Sequence, residues 1–497
     1  MNLHPLIAEL FLDTTKKGLL QMSIQLSRKD IVWGYIAQFF SIAAGIIMLP
    51  LVLRMLKPNE IGMNYLMLTI GSMVSLFDFG FAPQFGRNIT YVFSGAQVLM
   101  KEGVDINHEN SHDINYRLLS TMIHTARWVY RLLSLIVLAV MLTLGTVYIY
   151  RVTNGFTSVH NALYIWIVYS FSTFINIYYT YYTSLLTGKG MIMESKKAMV
   201  FSRLTYLAIG ATLLKLNVGL MSIAIANLLA PFVNRFFSER FFFTKELNEK
   251  LNAYEITKQE KLDLFKIIWH NSKKLGIVYV ASYAITKLSM FLAGLYLPLK
   301  DIASYGLMQQ FVVIISTVSG TLFILSEPRL SALKARGEET QLLKTFSYSM
   351  GIYYLLFIGA GTGFVLLGPW LLTLIRSNVL LPSTGILIVY MVVILLELNH
   401  SFFATMIVIG NKVPFVGVSL ITAGLIVLGS FLSLAFTNAG VLGLVLVQGI
   451  VQLCYSNWKW PLVIFREFKI NFITFIRLAF SEVYVRQKEL YYGRSKH

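Results

Sequence analysis

Charged residues and cysteine are both scarce in this chain. Only 13% of its 497 residues are charged and 56% are apolar, whereas a typical globular protein has about 25% charged residues. The single cysteine, Cys454, excludes a disulfide within the chain and a thiolate metal site. We therefore expect no metal and no cofactor, and a soluble protein of several domains is excluded by composition.

Other features are missing as well. The first thirty residues contain Glu9 and Asp13 and lack a long apolar core with a cleavage site, so we expect no signal peptide. No nucleotide-binding motif of the form G-x-x-x-x-G-K-S/T occurs, so hydrolysis within this chain is not expected to drive its function. The longest connections, near 83–127 and 244–274, are too short for a catalytic domain. The chain is not expected to be an enzyme.

Long apolar stretches occupy most of the sequence. Residues 31–53 contain no charge, and about 20 apolar residues are enough for a helix to cross a bilayer. Because every backbone amide must be bonded internally in the hydrocarbon, each stretch is predicted to be a spanning helix. The twelve predicted spans are 31–53, 61–82, 128–150, 161–186, 198–216, 219–243, 275–298, 302–326, 349–375, 385–409, 414–436 and 439–465. The fold class is predicted to be all-α and polytopic.

Positive charge alternates between successive loops. With the N-terminus on one side, the loops, termini and adjoining span ends of that side carry 35 Lys and Arg, those of the opposite side carry 6, and Lys287 deep within a span completes the 42. This bias marks the cytoplasmic side of a membrane, so both termini are predicted to be cytoplasmic. The net charge of +18 is thus a topology signal. It favours anionic membrane lipids as a partner, and no nucleic acid is expected.

A weak internal repeat relates the two halves of the chain. Residues 60–67, EIGMNYLM, are similar to residues 301–308, DIASYGLM, at an offset of 241. Each copy opens a helix after a short loop, and an even number of spans separates the copies, so the halves share one orientation. We therefore predict two parallel six-helix lobes around a central cavity. The predicted segments are a cytoplasmic N-terminal segment (1–30), an N-lobe (31–243), a cytoplasmic inter-lobe linker (244–274), a C-lobe (275–465) and a basic cytoplasmic tail (466–497).

Two short motifs carry a family resemblance. Residues 54–62, RMLKPNEIG, resemble the turn after the first span of polysaccharide exporters, and residues 76–88, LFDFGFAPQFGRN, resemble the exit from their second span. Together with span number and lobe arrangement, the chain resembles the O-antigen or repeat-unit (Wzx-type) flippases of the multidrug/oligosaccharidyl-lipid/polysaccharide exporter superfamily. The resemblance implies translocation of an undecaprenyl-diphosphate-linked glycan across the bacterial inner (cytoplasmic) membrane. It also implies a polysaccharide polymerase and a chain-length regulator as partners in polysaccharide or lipopolysaccharide biosynthesis.

Other classes fit less well. A major facilitator should carry an acidic and basic motif after its second span, and residues 80–88, GFAPQFGRN, lack it. A drug or metabolite antiporter would share the predicted fold and is the main alternative. A membrane-embedded polymerase or ligase is disfavoured because such enzymes generally need large outer loops.

Ionisable residues inside spans are the first candidates for a site, since each costs about 2.5–3.5 kcal/mol to insert at mid-helix. Lys287 lies twelve residues into the seventh span and is predicted to bind the substrate diphosphate. The alternative is a structural ion pair. Arg87 and Arg54, in the two motifs, are further candidates for substrate binding. Asp78 is predicted to gate the cytoplasmic mouth, although charges at span ends also extend to the interface.

Glu397 and His400 are candidates for ion coupling. They are three residues apart on the tenth span and so share a helix face, and a carboxylate with an imidazole can carry protons. The alternative is a hydrogen-bonded pair within the bundle.

Two surface patterns remain open. A basic stripe before and within the third span could guide the diphosphate, but contact with anionic headgroups is the favoured interpretation. Four tyrosines near the inner end of the fourth span suggest sugar stacking, but an interfacial aromatic belt is favoured. The stripe is Arg117, His124, Arg127 and Arg131, and the tyrosines are Tyr178, Tyr179, Tyr181 and Tyr182.

Overall fold

The computed structural model describes residues 47–93, 95–100, 114–335, 337–409 and 415–493, together with positions 33, 40, 44 and 45. Within these ranges all regular secondary structure is helical. In chain order the α-helices are α1 (Pro58–Val74), α2 (Phe81–Phe93), α3 (Tyr116–Val140), α4 (Thr146–Val152), α5 (Ala162–Gly188), α6 (Ile192–Lys215), α7 (Met221–Phe242), α8 (Lys245–Asn252), α9 (Lys258–Thr286), α10 (Leu288–Tyr296), α11 (Leu299–Ala335), α12 (Glu339–Leu374), α13 (Thr384–Ile409), α14 (Val416–Phe436), α15 (Gly440–Cys454), α16 (Ser456–Glu467) and α17 (Phe472–Gly493).

The predicted fold class is confirmed. Nine helical stretches of the described chain are long and apolar enough to cross a membrane. They correspond to the second, third, fifth, sixth and eighth to twelfth predicted spans. Helix α5 matches the fourth predicted span but is not among the nine, because its many tyrosines make it less apolar. The α9–α10 pair matches the seventh predicted span. The span at 31–53 falls largely outside the described residues, which are helical at 47–55.

Several helices extend beyond the predicted spans on the side that carries the 35 basic residues, called the basic side below. Helix α3 begins at Tyr116 rather than 128, and the Asn115 side chain caps it by accepting from Leu118 N at 2.9 Å. Helix α12 begins at Glu339 rather than 349. Hydropathy identifies the apolar core of each helix, whereas these polar extensions depend on packing against neighbouring helices and, in α3, on the side-chain cap.

The lobes contact each other through the repeated motif. Near the opposite side, a Cβ atom on Gly62 would collide with the carbonyl oxygen of Leu299. Tyr65 packs against Gly306, its own counterpart at the offset of 241, and the Tyr65 hydroxyl donates to Gln310 Oε1 at 2.7 Å. Because a residue that touches its repeat mate must lie near the axis relating the copies, these contacts support the predicted pseudo-two-fold arrangement.

The predicted linker between the lobes is folded rather than extended. Helix α8 and the first half of α9 pack on α2 and α3 at the basic side, where the Phe81 ring stacks on Phe265 and Trp269 at centroid distances of 6.0 and 5.7 Å. A capping box between Thr257 and Glu260 starts α9. Hydrogen bonds from Thr257 and then from Arg117 hold the pKa of the Glu260 carboxyl below its usual value.

Candidate functional site

The seventh span is interrupted at Lys287, which lies between α9 and α10. Its backbone is non-helical (φ −128°, ψ −25°), whereas the sequence predicted one continuous helix. Neither proline nor glycine stands at the break, so packing on both sides accounts for it. Before the break the Tyr283 hydroxyl donates to Thr69 O of α1 at 2.9 Å. After it the Tyr148 hydroxyl of α4 donates to Phe291 O at 2.8 Å.

Lys287 lies near the middle of the membrane. It is nine residues before the end of α10, which places it about 14 Å from the opposite side at 1.5 Å per residue, within a hydrocarbon core about 30 Å thick. The side chain is half-buried. Its ammonium group makes no ion pair or hydrogen bond with any other residue of the described ranges. An ammonium group without a counter-ion can receive an anion.

The three residues predicted to bind substrate lie at three different depths. Arg54 is exposed at the opposite side, where its carbonyl oxygen accepts from the Asn378 amide at 2.9 Å. Arg87 is exposed on α2 at the basic side and donates to Gln84 Oε1 at 2.6 Å. Together with Lys287 at mid-membrane, they mark successive levels of the molecule and do not form one pocket in this conformation.

Asp78 holds the turn between α1 and α2. Its carboxylate accepts from the Tyr130 hydroxyl at 2.6 Å and from Ala82 N at 3.2 Å. The turn needs left-handed backbone at Phe79 (φ 45°) and Gly80 (φ 74°). The structure does not pair Asp78 with Arg87, and the gating role of Asp78 stays a prediction.

Glu397 lies within the second lobe, bonded to α15. Gln448 Nε2 donates to Glu397 Oε2 at 2.6 Å, and Gln452, one turn further along α15, contacts the same carboxylate. Gln452 is buried, and its Oε1 atom accepts no hydrogen bond from the described residues. A carboxylate beside an unused amide oxygen offers oxygen ligands to a hard cation such as Na⁺ or a place for a proton.

His400 has a different partner from Glu397. Its Nδ1 atom lies 2.7 Å from Asn457 Oδ1 on α16 and 3.2 Å from Leu396 O. The two residues share a helix face as predicted, but the structure does not join them by a hydrogen bond. A direct relay between them is therefore not formed in this conformation.

The basic stripe of α3 and the tyrosines of α5 are used in packing at the basic side. Arg117 pairs with Glu260 at 2.8 Å, and Arg127 lies over the Phe243 ring at 5.4 Å; His124 and Arg131 are exposed. Tyr181 and Tyr182 are buried and stacked at 4.4 Å, while Tyr178 and Tyr179 are half-buried.

Sequence reasoning missed two features. A polar wall, defined as Asn176, Thr180, Thr183 and Thr187, runs between the tyrosines along the basic-side half of α5. Its 4-3-4 spacing was the available signal. Arg235, inside the predicted sixth span, pairs with Glu239 at 3.2 Å.

A cavity of about 490 Å³ lies beside Arg235 on the exposed side of α7. No predicted site residue lines it. Its described lining is Phe232, Val233, Arg235, Phe236, Phe237 and Glu239.

No protein-family model matches the chain, and no curated protein matches its sequence. Among solved structures that share its fold, the lipid II flippase MurJ in an inward closed conformation is 14% identical, with a TM-score of 0.60 over 91% of each chain. An inward-facing multidrug resistance MATE family transporter of the MOP superfamily is 15% identical, with a TM-score of 0.58 over 87% of this chain and 97% of its own. The Vibrio cholerae MATE transporter VcmN is 12% identical, with a TM-score of 0.51 over 88% and 97%. The chain therefore has the fold of MOP-superfamily transporters.

Proposed function

We propose that this protein is a flippase that moves undecaprenyl-diphosphate-linked oligosaccharide repeat units from the cytoplasmic to the outer leaflet of the bacterial cytoplasmic membrane. The proposal depends most on Lys287, whose ammonium group lies within a span. A charge at mid-membrane costs about 2.5–3.5 kcal/mol, and this ammonium group has no carboxylate partner among the described residues. A bound diphosphate would offset that cost, so an anionic substrate is favoured over a cationic drug.

Transport proceeds by alternating access of the two lobes. The contacts of Gly62 and Tyr65 close the opposite side. Asn378 ties the second lobe to the first span, because its backbone N donates to Leu53 O at 2.7 Å. Rocking the lobes would separate these contacts and expose Lys287 to the other side. Both termini lie in the cytoplasm in this arrangement.

Cation entry supplies the driving force. Glu397 is the proposed carrier, because Gln448 and Gln452 orient its carboxylate within the second lobe. His400 lies one helical turn away, where a change in its hydrogen bond to Asn457 can follow the change at Glu397. A membrane potential provides about 2.3 kcal/mol per charge per 100 mV, which is enough to bias two conformations of similar free energy.

A depletion experiment tests the function in cells. Loss of the protein should cause single undecaprenyl-linked repeat units to accumulate on the cytoplasmic face, while a polymerase and a chain-length regulator, its proposed partners, remain present but without substrate. Accumulation of long lipid-linked polymers instead would indicate that the protein acts after polymerisation of the repeat units. Unchanged lipid-linked glycans together with loss of dye efflux would support a drug antiporter instead.

A further inference from the structure

Helix α5 has two exposed sides of opposite chemistry. Tyr164 and Phe171 are exposed by 65% and 44%, and they lie about 140–160° around the axis from Tyr169 at 100° per residue. The polar wall lies within about 40° of Tyr169 by the same measure. An apolar exposed side is expected to face lipid, and a polar exposed side within a membrane is expected to face an aqueous space.

The polar wall faces the interior of the protein. In the opposite-side half of α5 the same helix face packs on α1, where a Cβ atom on Gly71 would collide with the Tyr169 hydroxyl. In the basic-side half this cover ends, and Asn176 and Thr183 are exposed. The wall is therefore accessible polar surface that continues, toward the basic side, the face of α5 that packs on α1.

Helix α2 borders the basic-side end of the wall. Ser184 Oγ of α5 donates to Ala82 O at 2.9 Å, and a Cβ atom on Gly86 would lie 3.5 Å from Thr187 Oγ1. Arg87 follows directly and is exposed. The cation of Arg87 thus lies on the helix that borders this end of the wall, and the wall itself carries neutral polar groups.

The chemistry of the wall suits an uncharged polyol. Neither α5 nor α2 contains an acidic residue, so the surface has nothing to pair with a cationic ligand. Hydroxyl groups both donate and accept, and an amide does the same through two atoms. Sugar hydroxyls offer the matching donors and acceptors. Thr187 lies eleven residues after Asn176, which is about 16 Å along the helix and long enough for more than one sugar ring.

We propose that the polar wall binds the oligosaccharide of the lipid-linked substrate, while Lys287 binds its diphosphate. The inference rests on the proposed function and adds a glycan subsite to it. Thr180 and Thr183 provide the central contacts. The Thr180 hydroxyl also donates to Asn176 O at 3.0 Å, which leaves its lone pairs free to accept from a sugar.

Binding of two lipids to the purified full-length protein tests the proposal. One probe is undecaprenyl diphosphate bearing a neutral oligosaccharide, and the other is undecaprenyl diphosphate alone. The double variant Thr180→Val/Thr183→Val keeps side-chain shape but removes two hydroxyls. It should weaken binding of the glycan-bearing lipid about tenfold, the size expected for two lost hydrogen bonds, and leave binding of the bare lipid within about twofold.

Two controls distinguish a glycan contact from a structural effect. Thr405→Val on α13 removes a hydroxyl that likewise bonds the carbonyl four residues back, at 3.0 Å, and should bind both lipids normally. Thr180→Ser/Thr183→Ser keeps both hydroxyls and should retain glycan-dependent binding. Equal weakening of both lipids in the valine variant, or no weakening of either, overturns the glycan subsite. Wild-type protein that binds neither lipid overturns the proposed function itself.

Discussion

At the scale of single residues, transport should depend most strongly on Lys287. Lys287→Ala removes the proposed diphosphate ligand, so flipping of the lipid-linked repeat unit should fall to background while protein in the membrane stays near normal. Lys287→Arg should keep partial activity, because the charge survives but a planar guanidinium replaces a compact ammonium group. Leaflet transfer and immunoblotting of the membrane fraction measure the two quantities.

The control for this prediction is Lys300→Ala. Lys300 is an exposed lysine just past the end of the same span, so its loss should leave flipping unchanged. Full activity in Lys287→Ala would remove Lys287 from the mechanism. Equal loss in both variants would point to a general effect of positive charge.

Glu397 carries the second residue-level prediction. In reconstituted vesicles a proton or sodium gradient should accelerate flipping by the wild-type protein. Glu397→Gln keeps the shape of the side chain but cannot exchange a charge, so it should flip at the same rate with and without the gradient. Glu255→Gln, in the exposed linker, should respond as the wild type does. A normal gradient response in Glu397→Gln would defeat the coupling scheme.

Sequence alone singled out the charged residues of the proposed sites and missed the neutral ones. Lys287 and Glu397 stand out because an ionisable side chain within a span is costly. Asn176 and Thr183 are neutral and lack this cost, so nothing but their spacing distinguishes them from the neighbouring tyrosines. The Asn457 partner of His400 could not be predicted, because it is 57 residues away and only packing brings α16 beside α13.

At the scale of helices, the contacts that join the two lobes at the opposite side should have to separate during each transport cycle. Asn378 donates to Arg54 O and to Leu56 O, each at 2.9 Å, and so bridges the lobes. In a Cys454→Ser background, a cross-link between Arg54→Cys and Asn378→Cys should stop flipping, and a reductant should restore it. The single native cysteine makes this background simple to prepare.

A cross-link within one lobe is the matched control. Asn59 Nδ2 donates to Ser158 O at 3.2 Å, and both belong to the first lobe. Joining Asn59→Cys to Ser158→Cys in the same background should leave flipping intact. Continued flipping with the inter-lobe cross-link in place would show that these contacts do not separate during transport.

The break in the helix at Lys287 could not be predicted from the sequence. The stretch 275–298 contains no proline before Pro298 at its end, and it reads as one continuous span. Tyr283 and Phe291 are nevertheless held by α1 and α4, respectively, and those contacts depend on how distant helices pack. By contrast, the repeat at 60–67 and 301–308 predicted two lobes of the same orientation, and the structure adds a contact between its matching residues Tyr65 and Gly306.

At the scale of the whole molecule, the loop charges predict both termini in the cytoplasm. A reporter active only outside the cytoplasm should therefore be silent when fused after His497. The same reporter inserted near Asn154, in the predicted outer loop before α5, should be active. Activity at His497 would reverse the orientation and, with it, the direction of the proposed transport.

Transfer of a lipid-linked oligosaccharide between leaflets is the proposed function of this protein. The most direct measurement places the purified full-length chain in vesicles with labelled undecaprenyl-diphosphate repeat units in one leaflet and follows their arrival in the other. Transfer should be faster than in protein-free vesicles or vesicles containing Lys287→Ala, and an imposed cation gradient should speed it further. Transfer no faster than in protein-free vesicles, with or without a gradient, would show that this protein is not a flippase for this lipid.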